Sequence, residues 1–204
     1  MTSLAVPVDL RPSPHANDPV RSFGWWAMAC TCATEASLFA YFIASNFYLD
    51  LRSASWPPPG IARPKLLIPL LMTATLLSSS AVLAWGERGI RRNDRRRLVI
   101  GICGTMTLAT AFLVMFALEY HDKLGTFRPS GSAYASIFYV TTSLHCSHVL
   151  AGMTLLGFTL WRTLRGHFSA ERHVGVAVTT LYWHFVGAIW LAILTTFYLA
   201  PHLT

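Results

Sequence analysis

Four long segments of this chain contain no Asp, Glu, Lys or Arg, and a fifth contains a single charged residue, Glu35. These five segments are residues 22–49, 66–86, 98–118, 129–161 and 173–204. Together they make up two-thirds of the 204 residues. A helix of about 20 apolar residues crosses a bilayer and satisfies its own backbone hydrogen bonds, which lipid cannot do. The pattern therefore predicts five membrane-spanning helices.

The predicted helices form one all-α domain, a polytopic five-helix bundle. We place them at residues 23–48, 66–87, 97–120, 133–162 and 175–199. This transmembrane domain, 23–204, follows a tail of residues 1–22 that lacks the basic start and apolar core of a cleavable signal. The apolar runs are continuous rather than alternating, which disfavours a β-barrel. Charged residues make up 12% of the chain, about half the content of a soluble domain.

Basic residues are distributed unequally between the two ends of the predicted helices. If the N-terminal tail is cytoplasmic, 11 of the 16 basic residues lie on the inner side and 5 on the outer side. The inner residues are Arg11, Arg21, Arg88, Arg91, Arg92, Arg95, Arg96, Arg97, Arg162, Arg165 and Arg172. The positive-inside rule therefore predicts that the N-terminus is inside and the C-terminus outside. Because this distribution accounts for the net charge of +7, nucleic-acid binding is not expected.

Four ionisable side chains are predicted at similar depths within the bilayer. Glu35 lies about 18 Å along the first helix, at a rise of 1.5 Å per residue. His145 and His148 are three residues apart on the fourth helix and share one face. His184 lies on the fifth helix. Since an ionisable group at this depth is costly unless it is paired or hydrated, we expect one buried polar cluster.

The predicted cluster has three interpretations. In the first, the polar groups bond to one another and hold the bundle together. In the second, two opposed imidazoles ligate a haem. In the third, Glu35 belongs to a proton pathway, although the other polar residues of its helix are sparse. The sequence shows no nucleophile with a base, phosphate loop or metal-ligand motif, so it predicts no catalytic residue and no metal site.

Charged residues also occur near the outer end of the third predicted helix. Glu119 and Asp122 stand beside His121 and Lys123. Charges near the membrane surface are commonly hydrated, so we expect Glu119 and Asp122 to belong to a solvated interfacial cluster.

Six sequence runs carry a family resemblance. They are TEASLFAYF around Glu35, WPPPGI at 56–61, LEY at 118–120, SIFYVTTSLHCSHVLAGM at 136–153, WRTLRGHF at 161–168 and YWHFVGAIWL at 182–191. In these runs and in their order, the sequence resembles subunit III of the haem–copper oxidases, most closely that of cytochrome c oxidase.

The resemblance implies a non-catalytic subunit of a proton-pumping terminal oxidase of aerobic respiration. In that family, haem and copper belong to partner subunits, and subunit III itself holds neither. It packs mainly against subunit I, belongs to one complex with subunit II, binds phospholipids in a cleft, and stabilises turnover and proton uptake. The five helices resemble a short bacterial form, which implies a multi-pass protein of the bacterial inner membrane whose complex can join a respiratory supercomplex.

The resemblance also implies roles for individual residues. Polar positions of the family match Glu35, His145, His148 and His184, and lipid-binding positions match Trp56, Arg162, His167 and Trp183. Within the second set, Arg162 and His167 match positions that meet lipid phosphate, which suits the bidentate geometry of a guanidinium.

One position departs from the family pattern. The family usually has an aspartate immediately after YWHFV, whereas this chain has Gly187. Any contact made by that carboxylate is absent here, which indicates a divergent branch or a partner that supplies the acid. Alternative functions are a subunit III-like accessory protein of a nitric oxide reductase or quinol oxidase, and a free-standing haem-binding membrane bundle.

Overall fold

Five long helices account for most of the residues that the structure, a computed structural model, describes: 22–58, 65–126 and 128–202. They are α1 (Phe23–Arg52), α2 (Leu67–Ile90), α3 (Arg95–Thr126), α4 (Ala133–Leu164) and α5 (Val174–Ile193). Each is long and apolar enough to cross a membrane, and none of the described residues forms a strand. The predicted all-α fold with five transmembrane helices is therefore confirmed.

The helices extend past the predicted ends where charged residues follow the apolar runs. The first helix continues from residue 48 to Arg52, and the third begins at Arg95 rather than 97. Ser22 and Ser132 begin α1 and α4 as N-caps, because each hydroxyl accepts a hydrogen bond from the amide three residues later. Beyond α5, the chain continues as a π-helix, Leu194–Leu199, and a short 3-10 helix, Ala200–His202.

Helix α5 is the centre of the bundle. It packs against α1, α2 and α4, while α3 packs against α2 and α4. Helix α1, which is described over its whole length, has three buried residues, Cys32, Phe39 and Asn46. Because these residues are seven apart, they form one narrow line along the helix, and the other residues of α1 are half-buried or exposed.

Helices α2 and α3 form a tight hairpin. A Cβ built at Gly101 of α3 would lie 2.7 Å from the Cα of Gly86 of α2, so the two backbones touch. Asn93 has φ 59° in the turn between them, a left-handed conformation that Asn tolerates better than most residues. Its side-chain oxygen accepts a hydrogen bond of 2.7 Å from the amide of Ala170, which joins this turn to the α4–α5 loop.

Parts of two sequence predictions lie outside the described residues. These are residues 1–21 of the predicted cytoplasmic tail, with Arg11 and Arg21, and residues 59–64 of the loop after α1, with Arg63.

Candidate functional site

A carboxylate of α1 and an imidazole of α4 meet between the two helices. Oε2 of Glu35 lies 3.1 Å from Nε2 of His148. The His148 side chain is 13% exposed, whereas that of Glu35 is 35% exposed and opens toward the surface of the bundle. The ring of Phe39 packs edge-on against His148, with 5.2 Å between the ring centroids. This contact is a polar link between α1 and α4.

The hydrogen bond of the second ring nitrogen of His148 determines how many protons this pair holds. Nδ1 lies 2.8 Å from the carbonyl oxygen of Leu144, and a carbonyl oxygen only accepts hydrogen bonds. Nδ1 therefore carries a proton and donates. A hydrogen bond between Nε2 and Oε2 then needs one further proton, held either by the imidazole as an ion pair or by the carboxyl as a neutral pair. The geometry thus describes a pair that shares one proton.

His145 lies on the same face of α4, one turn from His148, and is fully buried. Its Nε2 lies 3.1 Å from the carbonyl oxygen of Val186 on α5, so this nitrogen donates. The ring is packed by Phe39, Phe112 and Trp190, with centroids 5.2 to 6.5 Å away. Nδ1 has no hydrogen-bond partner among the described residues. His145 therefore joins α4 to α5 rather than joining the Glu35 pair directly.

The expectation that His184 belongs to the buried cluster is wrong. Its side chain is exposed on the surface of α5, whereas its neighbour Trp183 is fully buried. Adjacent residues of a helix point about 100° apart, so depth along the helix does not determine which side a residue faces. The structure thus brings Glu35 and His148 together and leaves His184 outside.

The expectation that Trp183 contacts lipid is also wrong. Its side chain is 0% exposed, and its indole Nε1 donates a hydrogen bond of 3.0 Å to the hydroxyl oxygen of Ser79 on α2. Gly152 of α4 makes room for the ring, because a Cβ there would lie 2.9 Å from it. Trp183 therefore joins α2, α4 and α5 from within the core.

Trp56 lies just beyond the C-terminal end of α1. Its indole Nε1 donates a hydrogen bond of 3.3 Å to the side-chain oxygen of Asn46, which is buried. Its ring meets Tyr134 of α4 edge-on, with centroids 5.3 Å apart. These contacts hold the half-buried ring against α1 and α4.

A basic cavity of about 580 Å³ lies where α4 ends and α5 begins. Its basic side chains are Arg162, Arg165, His167 and Arg172, and Glu171 is the acidic residue in its lining. The Arg162 guanidinium lies 5.1 Å from the ring centroid of Phe168, and no ion pair to Arg162 occurs among the described residues. Several cations around one open volume suit a phosphate or carboxylate group.

Glu119 is buried in an ion pair, which corrects the expectation that it is solvated. Its carboxylate lies 3.2 Å from Nζ of Lys123, and the two side chains are 9% and 12% exposed. The ammonium group also lies 5.2 Å from the ring centroids of Phe138 and Tyr198. Asp122, by contrast, is exposed. The i,i+4 spacing of Glu119 and Lys123 was the sequence signal that could have predicted this pair.

The histidines do not fit bis-histidine haem ligation. Both ring nitrogens of His148 are engaged within the bundle, and the free Nδ1 of His145 faces a packed aromatic shell. His184 points outward on another helix. No group of three or more His, Cys, Asp or Glu suited to a metal ion occurs in the described part of the chain. No two of these imidazoles therefore face each other across a space that admits a macrocycle.

The fold and this interior define a multi-pass helical membrane protein whose polar groups connect its helices. The chain belongs to the cytochrome c oxidase subunit III family, whose model matches residues 29–201. It is 35% identical to cytochrome c oxidase subunit 3 of Drosophila melanogaster over 179 residues, which cover 85% of this chain and 68% of the fly protein. The Gadus morhua protein of the same name is 31% identical over 190 residues, 90% of this chain and 72% of the relative. The chain is therefore a subunit III of a haem–copper oxidase, an oxidoreductase complex.

Proposed function

We propose that this chain is a non-catalytic accessory subunit that packs on oxidase subunit I, shares the complex with subunit II, and stabilises turnover and proton uptake. The observation that carries the proposal is that the polar groups of the interior bond to one another: Glu35 with His148, His145 with Val186, and Trp183 with Ser79. This arrangement supports a scaffold rather than a reaction centre. Haem and copper are assigned to the partner subunits, as the family implies.

The proposed setting is the bacterial inner membrane, with the N-terminus inside and the C-terminus outside. The end of the bundle that carries the arginines of the α2–α3 turn and the α4–α5 loop is the inner end. We also propose that the oxidase complex can join a respiratory supercomplex.

Purification of the tagged chain from its own membranes in mild detergent tests the accessory function. We expect it to co-purify with a large subunit that shows a-type haem bands in a reduced-minus-oxidised spectrum, and we expect the separated chain to be colourless. Recovery with b- and c-type bands and no oxidase core would instead assign it to a nitric oxide reductase. A Soret band in the separated chain would overturn the non-catalytic assignment.

The Glu35–His148 pair gives a prediction for the accessory function. Glu35→Gln keeps a donor opposite Nε2 of His148, so the complex should assemble and turn over within about fivefold of wild type, since one hydrogen bond changes by ~1 kcal/mol. Glu35→Lys replaces the carboxylate opposite the imidazole with a cation and should reduce co-purification with subunit I. Turnover per haem and subunit ratios measure both effects. Loss of turnover in a fully assembled Glu35→Gln complex would show that Glu35 takes part in proton transfer.

The basic cavity is proposed to bind the phosphate of an anionic phospholipid. Arg162→Ala should lower the phospholipid retained per complex to about half or less, because a hydrogen bond to a charged group contributes ~1.5–3 kcal/mol. Lipid mass spectrometry of the purified complex measures this content. The matched control is Arg88→Ala, which removes an exposed arginine from the last turn of α2, outside the cavity. Equal lipid content in the two variants would contradict a role for Arg162.

A further inference from the structure

His184 lies on a strip of α5 that no described helix covers. The strip consists of the exposed residues His184, Ala188 and Leu191. Their spacing of four and three residues places them on one side of the helix. The other sides of α5 pack against α1, α2 and α4. The central helix of the bundle therefore also presents a surface to the membrane.

The imidazole of His184 needs a partner at its depth. It lies ten residues after Val174, about 15 Å along α5, and so within a hydrocarbon core that is about 30 Å thick. Neither ring nitrogen forms a hydrogen bond to the described residues. Glu87 acts on the ring electrostatically, but its carboxylate is paired with Arg91 at 2.6 Å. Lipid tails offer neither a donor nor an acceptor, whereas an imidazole needs both.

The surface beside His184 allows another backbone to approach closely. Ala188 is small and exposed one turn further along α5. Its neighbour Gly187 is buried against α2, where a Cβ would meet Ser80 Oγ at 3.5 Å, so the small residue on the exposed side beside His184 is Ala188. Small residues beside one polar group are characteristic of contacts between transmembrane helices. This surface therefore fits a helix better than it fits lipid chains.

We propose that the surface formed by His184, Ala188 and Leu191 docks a transmembrane helix of another subunit of the oxidase. The docked helix presents a hydroxyl, amide or carboxyl side chain to His184. The inference rests on the proposed function, in which the chain packs on another oxidase subunit, and it specifies which side of α5 makes that contact. It is favoured because the orphan imidazole requires hydrogen-bonding groups, and because the family to which the chain belongs is that of an oxidase subunit.

Photocrosslinking in the intact complex tests the identity of the occupant. A benzophenone amino acid replaces Ala188 on the proposed surface, and in a control it replaces Val114, which is 55% exposed on α3. We expect the Ala188 probe to crosslink to a transmembrane helix of another oxidase subunit. Crosslinks to lipid alone, or to a second copy of this chain, would overturn the proposal.

A substitution tests the role of the imidazole itself. His184→Phe removes the hydrogen bonds while keeping a ring, and Val114→Phe adds a comparable ring elsewhere on the membrane-facing surface. We expect the haem recovered per tagged chain to fall about threefold or more in His184→Phe relative to Val114→Phe. Equal recovery in the two variants would overturn the inference but leave the accessory function intact. The accessory function itself would fail if the wild-type chain recovered no haem-bearing subunit.

Discussion

A Gly101→Val variant is expected to lose the folded bundle and, with it, assembly into the oxidase. A Cβ at this position would lie 2.7 Å from the Cα of Gly86 and 3.2 Å from the backbone nitrogen of the same residue. Both neighbours are backbone atoms, so no change of rotamer relieves the clash and α2 must separate from α3. We expect a loss of stability at or above the upper end of the ~1–3 kcal/mol range for overpacking.

The melting temperature and the monodisperse fraction in mild detergent measure this effect. The matched control is Gly157→Val, because Gly157 is a helical glycine of α4 with open space where a Cβ would lie. Both variants place the same β-branched residue in a helix, so the difference between them reports the contact with α2. If the two variants had the same melting temperature, close α2–α3 packing would not be needed for the fold.

The sequence predicted which segments cross the membrane more reliably than which sides of the helices face one another. Absence of charge follows directly from the cost of burying ions in lipid, and it located all five helices. The sequence only weakly determines how each helix is rotated about its own axis, because the sides that face lipid and those that face the core are both apolar. Trp183 and His184 are adjacent in the sequence, yet one is buried and the other exposed. Composition alone does not show which of the two residues is buried.

The polar contacts also differ in how well the sequence predicted them. Glu35 and His148 were predicted to share a depth, and the structure brings them together at 3.1 Å. The partner of His145 is a backbone carbonyl of α5, which has no sequence signature. The Glu119–Lys123 pair did have a signature, their i,i+4 spacing, but its burial depends on aromatic rings of α4 and of the segment after α5. Contacts of this kind depend on tertiary packing.

Removal of the Lys123 ammonium is expected to destabilise strongly the end of the bundle where α3 ends. In Lys123→Met, the buried Glu119 loses the cation that lies 3.2 Å from its carboxylate, while the apolar stem between Phe138 and Tyr198 is largely preserved. Breaking one side of a buried ion pair costs ~3–5 kcal/mol, because it leaves the other charge uncompensated. The melting temperature of the purified complex should therefore fall by several degrees.

A second variant separates the cost of the unpaired charge from the loss of packing. Glu119→Gln combined with Lys123→Met removes both charges, and a buried pair replaced by neutral side chains is often as stable as the original. We expect the double variant to recover most of the melting temperature lost in Lys123→Met. A double variant no more stable than the single one would mean that Lys123 acts mainly through its contacts with Phe138 and Tyr198. The ion pair would then contribute little to the stability of the bundle.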